Sequence, residues 1–142
     1  MKSTAHLPAA WRAQLSWIDG FAGLVVGLLV IALLGPLSEL YSLPPRLLMF
    51  TAAANLGYSV LGISLGLLPR SATSARRGLL AVLIVANGLW ALTCLGLTLR
   101  FGAGASVFGL AHLLGEGSFV ATLAALEWRH RRLILGDPLL TP

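Results

Sequence analysis

Charge is what this sequence has least of. Only 11% of its 142 residues are Asp, Glu, Lys or Arg, where a soluble domain carries about a quarter. With 57% hydrophobic residues and a mean hydropathy of +0.87, an integral membrane protein is the class that composition leaves. Cysteine is nearly missing. The single Cys94 lies inside an apolar run, which excludes an intramolecular disulfide and any Cys-based zinc spacing and leaves a small packing residue. Period-two alternation is missing as well, so no barrel pattern is present, and an open sheet leaves backbone groups unsatisfied in lipid. Among catalytic signatures there is no phosphate-cradling G-x-x-x-x-G-K, no Ser/His/Asp set that helical periodicity assembles and no pair of carboxylates expected at one depth. The expectation is therefore a protein that is not an enzyme and carries no cofactor. An intramembrane enzyme acting on lipid through His112 and Glu116 is the residual alternative.

Long apolar runs are what is there. Spans are expected at about residues 15–34, 46–68, 78–99 and 105–127, each long enough at about 1.5 Å per residue to cross roughly 30 Å of hydrocarbon. Residues 14–135 then form the transmembrane domain, after an interfacial segment 1–13 with Trp11 and Arg12 and before a short tail, 136–142. The first span is read as retained rather than as a signal peptide, because Gly35 to Glu39 offers no small-residue cleavage pattern. Gly35 to Pro45 is expected to be a loop, punctuated by Pro36, Pro44 and Pro45. Gly136, Asp137 and Pro138 are expected to stop the last helix, which has the means to run on through Arg132 and Leu135.

Links this short join neighbours, so the fold class is an all-α, antiparallel four-helix membrane bundle. Of ten Lys and Arg, eight fall on one side: Lys2, Arg12, Arg70, Arg76, Arg77, Arg129, Arg131 and Arg132. Only Arg46 and Arg100 fall opposite. The positive-inside bias then places both termini in the cytoplasm, with Trp11, Trp17 and Trp128 as inner-interface anchors. The formal charge of +5 comes in short clusters rather than along one helix face, which suits anionic headgroups and not nucleic acid.

Depth singles out the candidate site. Centring each span on the bilayer puts Asn55, Asn87 and Glu116 within about 3 Å of their midpoints, so three helices are expected to contribute polar groups to one layer. Helical spacing adds neighbours on the same faces: Tyr58 beside Asn55, Trp90 beside Asn87, and His112 one turn from Glu116. Asp19 is expected nearer the cytoplasmic end, where it can reach the inner headgroups or face the bundle, the second being favoured because Trp17 rather than a basic residue is its near neighbour. Gly20, Gly23 and Gly27 form a smooth stripe for close helix approach, to another helix or to a second copy.

A carboxyl in this layer is cheapest as the neutral acid, and His112 is the natural partner for exchanging its proton. Asn55, Asn87, Tyr58, Trp90, His112, Glu116 and Asp19 are thus candidate proton- or ligand-binding residues of a proton-linked carrier working as a homo-oligomer among membrane lipids. The bland reading makes the asparagines interhelical glue, worth about 0.6 kcal/mol each, in an accessory subunit of a membrane complex. A third reading makes the aromatic residues a pocket for a quinone- or lipid-like ligand. One histidine with one carboxylate is a poor closed metal site, so no metal is expected.

In length and span count the chain resembles the small multidrug-resistance transporters, and in span count and glycine spacing the DoxX-like membrane proteins. The acid of the former lies mid-membrane in the first helix, whereas here Asp19 is near the start of that helix and Glu116 is in the fourth, so neither resemblance carries a site residue across.

Overall fold

The computed structural model describes residues 14–135. Those residues form five helices and, among themselves, no strand: α1 (Leu15–Ala32), α2 (Leu34–Tyr41), α3 (Pro45–Leu67), α4 (Thr73–Phe101) and α5 (Val107–Leu135). All except α2 are long and apolar enough to cross a membrane. The expected interfacial segment 1–13 and the tail 136–142, including the stop at Pro138, lie outside the described residues.

The expected loop from Gly35 to Pro45 is for the most part a helix. Pro36 sits in the first turn of α2, where a missing N–H costs no intrahelical bond. The helix ends at Ser42, whose φ of 52° is left-handed. Ser42 N–H donates to Glu39 O and Leu43 N–H to Ser38 O, both at 3.2 Å, the paired arrangement that satisfies a helix's last carbonyls. Pro44 and Pro45 then open α3, where preset φ angles favour a helix start.

The last two helices also run longer than their apolar cores. α4 begins at Thr73, ahead of the expected Gly78, and α5 continues to Leu135 past the expected end at Glu127. The Arg76 side chain ties that end of the molecule together. Its Nη1 donates to Leu65 O (3.1 Å) and Leu68 O (2.7 Å), and its Nη2 to Ile134 O (2.8 Å). One guanidinium thus serves the carbonyl-rich ends of α3 and α5, where a cation is stabilised by the helix dipole.

Close approach sets the packing. α1 lies along α3: Gly20 meets Gly62 and Ile63, Gly23 meets the Asn55 carbonyl, and Gly27 meets Ala52 and Leu56. The glycine stripe therefore serves a helix of the same chain. α4 lies along α5, with Gly117 against Cys94 and Ala91. Apolar clusters fill both ends of the interior. Val30, Leu43, Leu48 and Leu113 pack beneath α2, while Leu15, Leu65, Leu80, Leu83 and Ile134 pack near Arg76. Buried polar residues collect between them.

A Cβ on Gly62 would press on the Gly20 backbone and the Ser16 carbonyl, whereas one on Gly57 would meet nothing. Gly62→Ala is expected to lower the thermal unfolding temperature in detergent, because backbone cannot move aside. Gly57→Ala is expected to leave it unchanged or raise stability by about 0.5–1 kcal/mol.

Candidate functional site

Glu116 is the hub of the first buried group. Its Oε1 accepts from Asn55 Nδ2 at 2.6 Å and from Trp90 Nε1 at 2.8 Å, so helices α3 and α4 both hold a carboxyl supplied by α5. Asn55 is itself fixed by a second bond from Nδ2 to Thr51 O, one turn back. Trp90, buried and braced by Phe50 and Tyr58, is placed by this bond rather than by an interfacial belt. The second oxygen is left free. Oε2 lies 3.3 Å from His112 Nε2, yet the two atoms are not aligned for a hydrogen bond and neither has another partner.

His112 is positioned from the far end of the molecule. Its ring stacks on Tyr41 with centroids 5.0 Å apart, and Tyr41 closes α2. Ser106 ties that helix to α5: its N–H donates to Tyr41 O at 2.9 Å and its hydroxyl to Leu40 O at 2.6 Å. The same hydroxyl accepts from Gly109 N–H, capping α5. Gly109 lies against the Tyr41 backbone, where a side chain does not fit.

Asp19, Asn87 and Glu127 make the second group. Asn87 Nδ2 donates to Asp19 Oδ2 at 2.9 Å and, more weakly, to Glu127 Oε2 at 3.4 Å. Asp19 is 3% exposed, and Asn87 and Glu127 are 0% exposed. This corrects the expected single layer. Asn55, Trp90, His112 and Glu116 meet, whereas Asn87 turns to Asp19 and Glu127. It also overturns the expectation of no paired carboxylates and that of a span ending at Glu127. Because α5 runs two turns past Glu127, that residue is interior, and its long side chain reaches the amide on α4. Trp128, its neighbour, is exposed with the Arg131 guanidinium over its ring at 4.2 Å.

A cavity of about 300 Å³ connects the two groups. Asp19, Gly23 and Val26 of α1 face it, with Asn55 and Tyr58 of α3 at its back and His112, Glu116 and Phe119 of α5 opposite. Gly115 and Phe119 on its rim are exposed, so it opens at the apolar surface where α1 and α5 diverge. Tyr58 does not donate into it, since its hydroxyl is turned to Ala86 O at 3.3 Å. Its charged groups are the two carboxyls and one imidazole, with no arginine or lysine in its wall.

Two features escaped the sequence reading. Glu127 carried a signal, an acid at helical spacing from Leu123 and Val120 on the buried face, masked by the basic residues after it. The string Gly62-Ile63-Ser64-Leu65-Gly66 spells G-x-S-x-G, the letters of a hydrolase nucleophile elbow. That motif works at a strand-to-helix turn, and here it lies inside α3, where Gly62 receives α1 and Gly66 receives the Trp17 ring. No group of three or more His, Cys, Asp or Glu able to hold a metal exists among the described residues.

Trp90→Phe keeps an aromatic ring but removes a donor from Glu116 Oε1 together with part of the buried ring's volume. It is expected to destabilise the protein by about 1–3 kcal/mol in detergent unfolding. Glu116→Gln retains an acceptor for both donors and is expected to stay folded. No family model matches this chain, and no curated protein or solved structure matches it, so its function is read from the chemistry of this cavity alone.

Proposed function

We propose that this protein is a small membrane carrier that takes a hydrophobic organic cation into the cavity between α1 and α5 and exchanges it for a proton at Glu116. The observation that carries this reading is the wall of that cavity. Its sides are mostly apolar, its ionisable groups are Asp19, Glu116 and His112, and no fixed cation offsets the acids. Charge complementarity in a poorly hydrated site then favours a ligand with one positive group on an apolar body.

The geometry supports a division of labour within the carboxyl. Oε1 is held by two donors from two helices, so it positions the group. Oε2, lacking a hydrogen-bonded partner, is the oxygen that takes either a proton or the ligand's cationic head. His112, 3.3 Å away, is the group that passes the proton in or out. Proton and organic cation compete for one charge, which is the elementary requirement for exchange.

Orientation belongs to the same proposal. The helices form an antiparallel bundle in the cytoplasmic membrane with both termini inside, because the Arg70, Arg76 and Arg77 connector and the basic end of α5 share one end and only Arg46 and Arg100 lie at the other. Membrane lipids are the surrounding partner, and nucleic acid is not one. A second copy packs on the exposed apolar faces of α1 and α4, which carry Val25, Leu28, Leu89 and Leu92. The cavity is complete within one chain, so that association is not needed to build it.

Benzyltrimethylammonium, a permanent cation with an apolar ring, is the test ligand. Calorimetry on the protein in lipid nanodiscs is expected to show binding whose heat changes with the ionisation enthalpy of the buffer, the signature of a proton released on binding. Glu116→Gln is expected to weaken it by about tenfold or more, equivalent to about 1.4 kcal/mol. Equal binding to the folded Glu116→Gln protein overturns the reading. Absence of binding accompanied by a copurified neutral quinone or lipid favours the apolar-ligand alternative, and absence of any ligand favours the accessory-subunit one.

A further inference from the structure

Of the Asp19–Asn87–Glu127 group only Asp19 reaches the cavity wall, and the exchange described above makes no use of Asn87 and Glu127, which are fully buried. We infer that the group is a second proton site, in which Glu127 carries a proton, Asp19 is its ionised partner, and the proton reaches Glu127 only through Asp19 and the cavity. Coupling of that proton to a transported ligand rests on the carrier reading, whereas its presence does not.

Two carboxylates donated to by one amide repel each other, and in an apolar interior that repulsion is barely screened. Among the described residues neither acid forms an ion pair, and the hydrogen bonds that reach them come from Asn87. A positive charge is therefore missing from the group. The groups facing it are Asp19 on α1, Tyr58 on α3, Asn87 on α4 and Glu127 on α5, with Glu116 and His112 across the cavity. Tyr58 is committed to Ala86 O and supplies no proton.

Two further observations identify the missing charge as a proton and place it. Glu127 Oε1 and Asn87 Oδ1 are buried acceptors without a donor; a proton on Oε1 turns one of them into a donor. The Asn87 bond to Asp19 (2.9 Å) is shorter than that to Glu127 (3.4 Å), as expected when Asp19 is the charged acceptor. A hard metal cation needs about six oxygen ligands. Here the amide N–H groups occupy the space between the carboxyls, and the neighbouring cluster is leucine and isoleucine.

The route follows from what surrounds the group. Towards the Arg76 end lie the apolar cluster of Leu15, Leu65, Leu80, Leu83 and Ile134 and a second cavity, lined by Ser16, Arg76 and Ile134 among others, whose wall includes none of Asp19, Asn87 and Glu127. Of these three, Asp19 alone lines the cavity between α1 and α5. A proton leaving Glu127 thus passes to Asp19 before it meets water or ligand, which makes Asp19 a relay and Asn87 a positioning residue.

Infrared spectroscopy of the Glu116→Gln protein in nanodiscs tests this directly, since that background removes the other acid of the cavity. A protonated-carboxyl C=O band is expected at neutral pH, shifted by isotopically labelled glutamate and lost in Glu127→Gln. On transfer to D2O the band is expected to shift, and Asp19→Asn is expected to slow that exchange by about tenfold or more. The labelled-glutamate shift reads the same proton if Glu127→Gln does not fold. No band, a band untouched by labelling, or exchange unaffected by Asp19→Asn overturns the inference. A band with these properties in a protein that binds no benzyltrimethylammonium leaves the second proton site standing and removes the carrier reading alone.

Discussion

A carboxyl kept among apolar helices needs donors, and the structure is arranged around supplying them from other helices. An acid at the centre of a membrane helix costs at most about 2.5–3.5 kcal/mol on insertion scales, and a charge-assisted hydrogen bond returns about 1.5–3 kcal/mol. Two donors on Glu116 Oε1 are thus of the right size to offset its burial. Because those donors are Asn55 on α3 and Trp90 on α4, the same bonds that make the acid tolerable fix three helices in rotation and height. Apolar contact in lipid cannot do this, since the alternative partner is an equally apolar tail.

Close approach is the complementary constraint. Gly20, Gly23 and Gly27 let α1 lie against α3 so near that backbone meets backbone, which brings Asp19 to the same interior as Asn55. The second intimate pair, α4 with α5, places Asn87 by Glu127 and Trp90 by Glu116. Contacts between the two pairs are sparser, and the cavity lies where α1 and α5 diverge. Arg76 ties one end of the molecule by serving carbonyls of α3 and α5. At the other, Tyr41 and Ser106 join α2 to α5. The cavity of the candidate site lies between these tied ends, and a second one lies beside Arg76 itself.

Much of this was legible in the sequence. Composition and run length sufficed for the apolar helices, and helical spacing put His112 with Glu116 and Asn55 on an interior face. What misled was the assumption that each apolar run is centred in its helix. The midpoint of α4, spanning Thr73–Phe101, falls at Asn87, but that of α5, spanning Val107–Leu135, falls near residue 121 rather than Glu116. Glu116 and Glu127 then lie about 8 Å to either side of it at the helical rise, which splits one expected layer into two. The arginines that extend α5 look like a tail in sequence because their charge hides the helical phase that Glu127 continues. Likewise Pro36 reads as a breaker, and only its place in the first turn of α2 makes it harmless.

The two tiers differ in a way that bears on the proposed exchange of a proton for a second charge. At Glu116 the carboxyl is anchored through one oxygen and presents the other to the cavity beside an imidazole, so its charge is exchangeable with whatever enters. At Glu127 the carboxyl is enclosed and its way out runs through a second acid, so its charge changes only when Asp19 changes first. An arrangement serving helix register alone has no use for this asymmetry: one amide–carboxyl bond between each pair of helices orients them equally well. Two acids reached in series from one cavity are instead what allows occupancy of that cavity to be felt at a depth the ligand never reaches. The link between them is Asp19, whose burial in turn depends on the glycines that seat α1 against α3.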